Sequence, residues 1–132
     1  MPERLEITGG ASLIDADDVI RRIWQAFDTR SDLLTRQVIF ADGSVPDAHR
    51  CEQNVLRWVT ENPGNEPVHG WLATDLLLQK HWMVRDRTGA IFNITPLEQS
   101  TPMFEHPGSV GEFRQLREEI HLVMQLHLRS SS

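Results

Sequence analysis

Cys51 is the only cysteine among 132 residues, and it stands in the run His49-Arg50-Cys51-Glu52-Gln53-Asn54-Val55. Two later runs can answer it: Lys80-His81-Trp82-Met83-Val84 and Phe92-Asn93-Ile94-Thr95-Pro96. In chain order they offer a thiol, an imidazole and an amide, which can serve as nucleophile, general base and orienting group. A thiol attacks only as thiolate. A helix N-terminus favours the thiolate through its dipole and unpaired amides, and a neighbouring imidazolium favours it further. Cys51 is expected to open a helix, and His81 is the candidate imidazole. The Cys51 amide, unpaired at that helix start, could line an oxyanion hole.

Each of these residues also has a plainer use. Cysteine is a small hydrophobe that packs well. His81 lies in an apolar strand, where a histidine can be purely structural. Asn93 is a polar amide between Phe92 and Ile94. Asparagine is depleted in strands, so its position asks for a partner; the His81 ring is one, and a strand-end cap before Pro96 is the other. Asn54, one turn after Cys51, is expected to hold the loop before the helix. His49, Cys51, His69 and His81 are residue types that zinc accepts, but His-x-Cys is poor ligand spacing and there is no second cysteine, so no metal is expected. His106, His121 and His127 are scattered and read as surface residues. No Gly-x-Ser-x-Gly elbow supports a serine hydrolase.

The elements that must position this set follow from periodicity and punctuation. Asp15, Asp17 and Asp18 open a first helix whose stripe is Val19, Ile20, Ile23, Trp24 and Phe27. Residues 37–40 read as a short strand, and Asp42-Gly43 as a turn. Along 51–61, Cys51, Asn54, Val55 and Trp58 recur at helical spacing, with Asp47 a candidate cap and Asn62-Pro63-Gly64 the stop. Residues 68–78, 80–85 and 90–95 read as strands, the last two joined by Asp86-Arg87-Thr88-Gly89. Ser109 and Glu112 form a capping box for a last helix over 109–128, with Phe113, Leu116, Ile120 and Val123 inward. Trp24, Val55, Trp58, Trp71, Phe113 and Ile120 are expected to share one core. This order gives an α+β fold, helices packed on a small antiparallel sheet. The chain reads as a single domain, 1–132, with a loose arm over 1–14.

The 86–89 turn decides whether the imidazole and the amide can meet. A two-residue loop pairs Asp86 with Gly89 and throws His81 and Asn93 onto opposite faces. A three-residue loop pairs Asp86 with Ala90 and makes them diagonal neighbours on one face, roughly 7–8 Å apart at the backbone. Gly89 favours the longer loop, whose last residue usually takes the left-handed region. That register is expected, with both residues on the face that meets the Cys51 helix.

Hydrophobic residues make up 39% and charged residues 24% of the chain, as in ordinary globular domains. A net charge of −6 without a Lys/Arg block argues against nucleic acid and anionic membrane as partners. One cysteine rules out an internal disulfide and suits a reducing compartment. No leader-like segment and no apolar run of roughly 18 residues is seen. A cytoplasmic location is therefore expected, with leaderless export left open.

The run Cys51-Glu52-Gln53-Asn54-Val55, then Val68-His69-Gly70-Trp71, His81-Trp82 and Asn93-Ile94-Thr95-Pro96, resembles papain-like cysteine hydrolases of the NlpC/P60 type. It is most similar to small bacterial and phage members with a Cys-x-x-Asn helix, a Gly-Trp strand, a His strand and an Asp/Asn-x-Thr-Pro strand. The likeness covers residues 47–96. It implies a papain-like core, a thiol amidase, peptidase or deamidase activity without a cofactor, and Cys51, His81 and Asn93 as nucleophile, base and third member. Trp82, His49 and Trp71 are then the expected substrate-binding residues for a peptide or amide. In the family pattern a histidine often follows the cysteine; Glu52 stands here, and its charge opposes thiolate formation. No upstream oxyanion glutamine is assigned, and Gln37 is a guess. The alternative is a non-catalytic interaction protein on the same fold, an inhibitor or accessory subunit for a protein partner.

Overall fold

The structure, a computed structural model, describes residues 16–122. The expected arm over 1–14, the Asp15 cap and the end of the C-terminal helix beyond Leu122, with Val123 and His127, lie outside the described residues. Helix α1 (Ala16–Phe27) buries Val19, Ile20, Ile23 and Phe27 on the stripe their spacing predicts. Helix α2 (Cys51–Glu61) starts at the cysteine. The strands are β1 (Ser31–Asp32), β2 (Glu66–Thr74), β3 (Leu77–Arg85), β4 (Ile91–Phe92), β5 (Pro102–Glu105) and β6 (Glu119–His121), with helix α3 (Val110–Gln115) before the last. The fold is α+β, and the strand pairings are antiparallel.

The sheet runs β1-β5-β2-β3-β4, and β6 also pairs with β3. Strands β2 and β3 form one long hairpin from Glu66↔Arg85 to Thr74↔Leu77. The sequence reading joined 68–78 into one strand; the chain instead turns at Asp75-Leu76, where Asp75 takes a φ of 53°. Aspartate tolerates that conformation, but without a glycine beside it the turn carries no strong signal. Gly70 is required for a different reason. A Cβ there would collide with the Phe104 carbonyl oxygen on β5 and with the Met83 side chain.

Strand alternation sorts the sheet into two faces. One carries Trp71, Trp82, Val84, Phe92 and Phe104 and is covered by α1, α2 and α3 in a single cluster with Val55, Phe113 and Ile120. Trp24 and Trp58 pack on that cluster from its half-buried margin, so the six core residues expected together do share one core. The other face carries Val68, Met83 and Met103, covered by Leu33 and Leu97 from the loops.

Two expected elements are replaced. Residues 37–40 form no strand: Phe40 turns back through its amide to the Ser44 carbonyl at 2.8 Å. Neighbouring Leu34 and Arg36 take the pairing instead, bonding Asn93 at 3.0 and 2.8 Å. The last helix stops at Gln115 after six residues, although Ser109 caps it as expected through the Glu112 amide. Residues 119–121 are drawn onto the free edge of β3 opposite residues 77–79. Leu116 and Ile120 are buried as their spacing predicts, but tertiary pairing with β3 decides the conformation.

Candidate active site

The 86–89 turn positions the imidazole and the amide. The Asp86 amide bonds the Ala90 carbonyl at 3.0 Å, and Gly89 takes a φ of 90°. Asp86 Oδ1 accepts from the Thr88 amide, the Thr88 hydroxyl and the Ala90 amide, which fixes the three-residue loop. Val84 therefore faces Phe92, and His81 and Asn93 fall on one face as diagonal neighbours.

His81 Nε2 lies 2.7 Å from Asn93 Oδ1, with both residues buried. The amide orientation is fixed independently: Asn93 Nδ2 donates to the Thr95 carbonyl at 2.7 Å and to the Thr35 hydroxyl at 3.0 Å. Its oxygen also accepts from the Thr95 amide at 3.2 Å. A carboxamide oxygen only accepts, so the proton sits on Nε2 and Nδ1 is the basic nitrogen. Burial pushes the His81 pKa below its ordinary value, and the Asn93 bond pulls the other way. Burial thus favours the neutral ring. Of the two threonines that complete this shell, Thr95 stands in the Asn-x-Thr-Pro run, whereas Thr35 carried no sequence signal and arrives from 58 residues away.

Cys51 sits at the first residue of α2, with Arg50 as an N-cap that makes no side-chain bond. Asp47 does not cap; Asn54 holds its backbone instead, by 2.8 Å to the Asp47 carbonyl and 3.2 Å to its amide. Asn54 also donates to the Thr95 hydroxyl at 3.0 Å, tying the helix start to the Asn93 strand. The loop residue His49 is held at a φ of 68° just before the helix. A non-glycine residue there stores roughly 1–2 kcal/mol of strain.

The helix meets the sheet differently from expectation. Cys51 and Val55 pack with the Trp82 face, whereas His81 belongs to the opposite face. The thiol meets β3 at its outer edge, where the Trp82 amide points at the sulfur. Among the described residues no hydrogen bond joins the Cys51 thiol to His81. Burial pushes the thiol pKa up; the amides of Trp82, Glu52 and Cys51 itself oppose that, and the Glu118 carboxylate adds to it.

Cys51 nevertheless lines an open cleft of about 280 Å³, with His49, Glu52, Gln53, Lys80, Trp82, Phe113, Arg114 and Glu118. Of the expected substrate-binding residues, His49 and Trp82 border this cleft. Trp71 does not border it: it is fully buried and donates to His106 Nδ1 at 3.0 Å. Gln37 lines a separate, largely apolar groove of about 800 Å³ and does not border the thiol. Lys80 was legible from alternation, being two residues from Trp82 on the same face; Arg114 and Glu118 come from the remade C-terminal segment.

A second polar cluster lies where a surface histidine was expected. His106 is 2% exposed. Because the Trp71 N–H can only donate, His106 Nδ1 accepts and Nε2 donates to Glu112 Oε1 at 2.7 Å. Burial pushes its pKa down to about 4. Burial raises Glu112, but Arg22, at 2.6 Å, and His106 outweigh it and hold the carboxylate ionised. Among the described residues no group of three or more His, Cys, Asp or Glu side chains is placed to hold a metal ion. No described helix is long and apolar enough to cross a membrane.

Comparison with family models, with curated proteins and with solved structures gives no match to this chain.

Proposed function

We propose that the chain is a papain-like cysteine hydrolase of the NlpC/P60 type, acting on an amide or related acyl bond through a thioester at Cys51. The observation that carries this reading is the buried 2.7 Å bond between His81 Nε2 and Asn93 Oδ1. It presets the tautomer in which Nδ1 is free to act as a base. In the reaction Nδ1 takes the Cys51 proton, and Sγ bonds the carbonyl carbon. The amides at the start of α2 stabilise the oxyanion. The imidazolium then protonates the leaving amine, leaving the thioester. Water, deprotonated by Nδ1, attacks the thioester, and the proton returns to Sγ. For the first step the thiol must swing from the Trp82 amide towards the ring.

A second reading has its own support. A half-buried thiol that accepts an edge amide is a packing residue, and it favours a non-catalytic interaction protein on the same fold. The two are separated with p-nitrophenyl acetate. A hydrolase gives a burst of p-nitrophenol and an acetyl adduct at Cys51 by mass spectrometry. His81→Ala should slow that burst about 100-fold, the lower end of general base contributions. An equal burst in His81→Ala, or none in the native protein, leaves the interaction reading.

A further inference from the structure

The cleft beside Cys51 carries a charge whose partners are incomplete. Lys80 projects into it from β3 beside Trp82. Its side chain is only 10% exposed. An ammonium has three donors, yet among the described residues none makes a hydrogen bond. The nearest carboxylate oxygen, on Glu118, stands at 3.9 Å, and Glu118 itself is 85% exposed. The Phe113 ring, 4.8 Å away, is the other neighbour. Arg114, the second cation of the cleft, is already closed onto Glu52 at 2.6 Å. A largely buried cation held by one long ion pair is costly until a ligand supplies a closer acceptor.

We propose that Lys80 is the specificity residue of the Cys51 cleft, and that the cleft takes a substrate bearing a carboxylate a few bonds from the carbonyl the thiol attacks. Calling the occupant a substrate rests on the hydrolase reading; the anion subsite beside Cys51 does not. The two acidic residues of the cleft do not cancel it. Glu52 is neutralised by Arg114, and Glu118 stands in water. At equal distance a charge acting through a partly buried path, with an effective dielectric near 20, is felt about four times as strongly as one screened by bulk water. The volume of about 280 Å³ suits one small acidic group against the Trp82 wall, at the lower limit of small-molecule sites.

Iodoacetate and iodoacetamide test this directly. Both alkylate a thiolate by the same substitution, in which the S–C bond forms, the C–I bond breaks and iodide leaves; they differ only in carboxylate against amide. Cys51 is the sole cysteine, so the mass of the whole chain reads this site alone. The ratio of the two rates divides out the thiolate fraction. A failed hydrolase reading therefore leaves the ratio intact, and a failed anion subsite leaves acylation by p-nitrophenyl acetate intact. The iodoacetate-to-iodoacetamide ratio in the folded protein at low salt should exceed that of the same chain unfolded in urea by about tenfold, the size of one charge-assisted contact. Lys80→Met should return it to the unfolded ratio and Lys80→Arg should keep most of it, whereas Arg114→Gln, which frees the Glu52 carboxylate, should lower it only in part. Lys80→Gln replaces the methionine variant if that one does not fold. A folded ratio no higher than the unfolded one overturns the proposal, as does a preference that survives loss of Lys80 or disappears with Arg114 alone.

Discussion

Asn93 concentrates more of the site's polar chemistry than any other side chain. Its oxygen serves His81 and the Thr95 amide, and its nitrogen serves Thr35 and the Thr95 carbonyl. Replacing it with alanine strands buried groups on His81 and Thr95, so Asn93→Ala should cost about 3 kcal/mol or more in denaturant melts. The bond to Asn93 raises the His81 pKa against burial, so the same variant should lower that pKa further, read by NMR titration of the ring. Cys51 runs the other way. Burial raises its thiol, and iodoacetamide alkylation should titrate above the free-thiol value of about 8.5. Titration well below that value would mean that His81 reaches the thiol in solution, and would strengthen the hydrolase reading. The pairing of His81 with Asn93 was legible because register is arithmetic: once Gly89 sets the loop length, the faces follow. Which face the cysteine helix would choose was not legible, because a helix dipole and an apolar stripe do not say where along a sheet edge the helix begins.

At the scale of elements, two junctions hold the site. Gly70 lets β5 approach β2, and Gly70→Ala drives a methyl into the Phe104 carbonyl. The variant should lose about 1–3 kcal/mol, the range for overpacking, with Trp71 fluorescence changing as the β2–β5 contact opens. Asn54 ties the 47–50 loop to both α2 and Thr95. Asn54→Ala should release that loop and speed Cys51 alkylation severalfold at fixed pH; an unchanged rate would show that the loop is held without it. Helices α1 and α2 were readable from periodicity and their stop signals. The turn at Asp75 and the strand at 119–121 were not. The first lacks glycine, and the second has a helical apolar pattern that the open edge of β3 overrides.

For the whole molecule, two buried neutral histidines set the response to acid. Both His81 and His106 are held below the ordinary histidine value, the latter at about 4. The unfolded chain therefore binds their protons first as pH falls. Their stabilising contribution is complete above the unfolded value of about 6.5 and is lost as pH falls from there towards the folded values. Each contributes a slope of at most about 1.4 kcal/mol per pH unit. Unfolding free energy should thus drop between pH 7 and 5, and His106→Gln, which can still accept from Trp71, should reduce that drop by about 1–2 kcal/mol.

The outer edge of β3 is closed by three unrelated pieces of chain. The Lys80 amide bonds the Glu118 carbonyl and the Asp86 amide bonds Ala90, while the Trp82 amide between them faces the Cys51 sulfur. The start of α2 is therefore a stopper in a gap between two short strands. Lifting it, by mutation or by any motion that carries the thiol towards His81, uncovers a stub of unpaired strand beside Trp82 and Met83. Such a stub templates pairing between molecules. Mobility at this helix and resistance to self-association are set against each other in this fold.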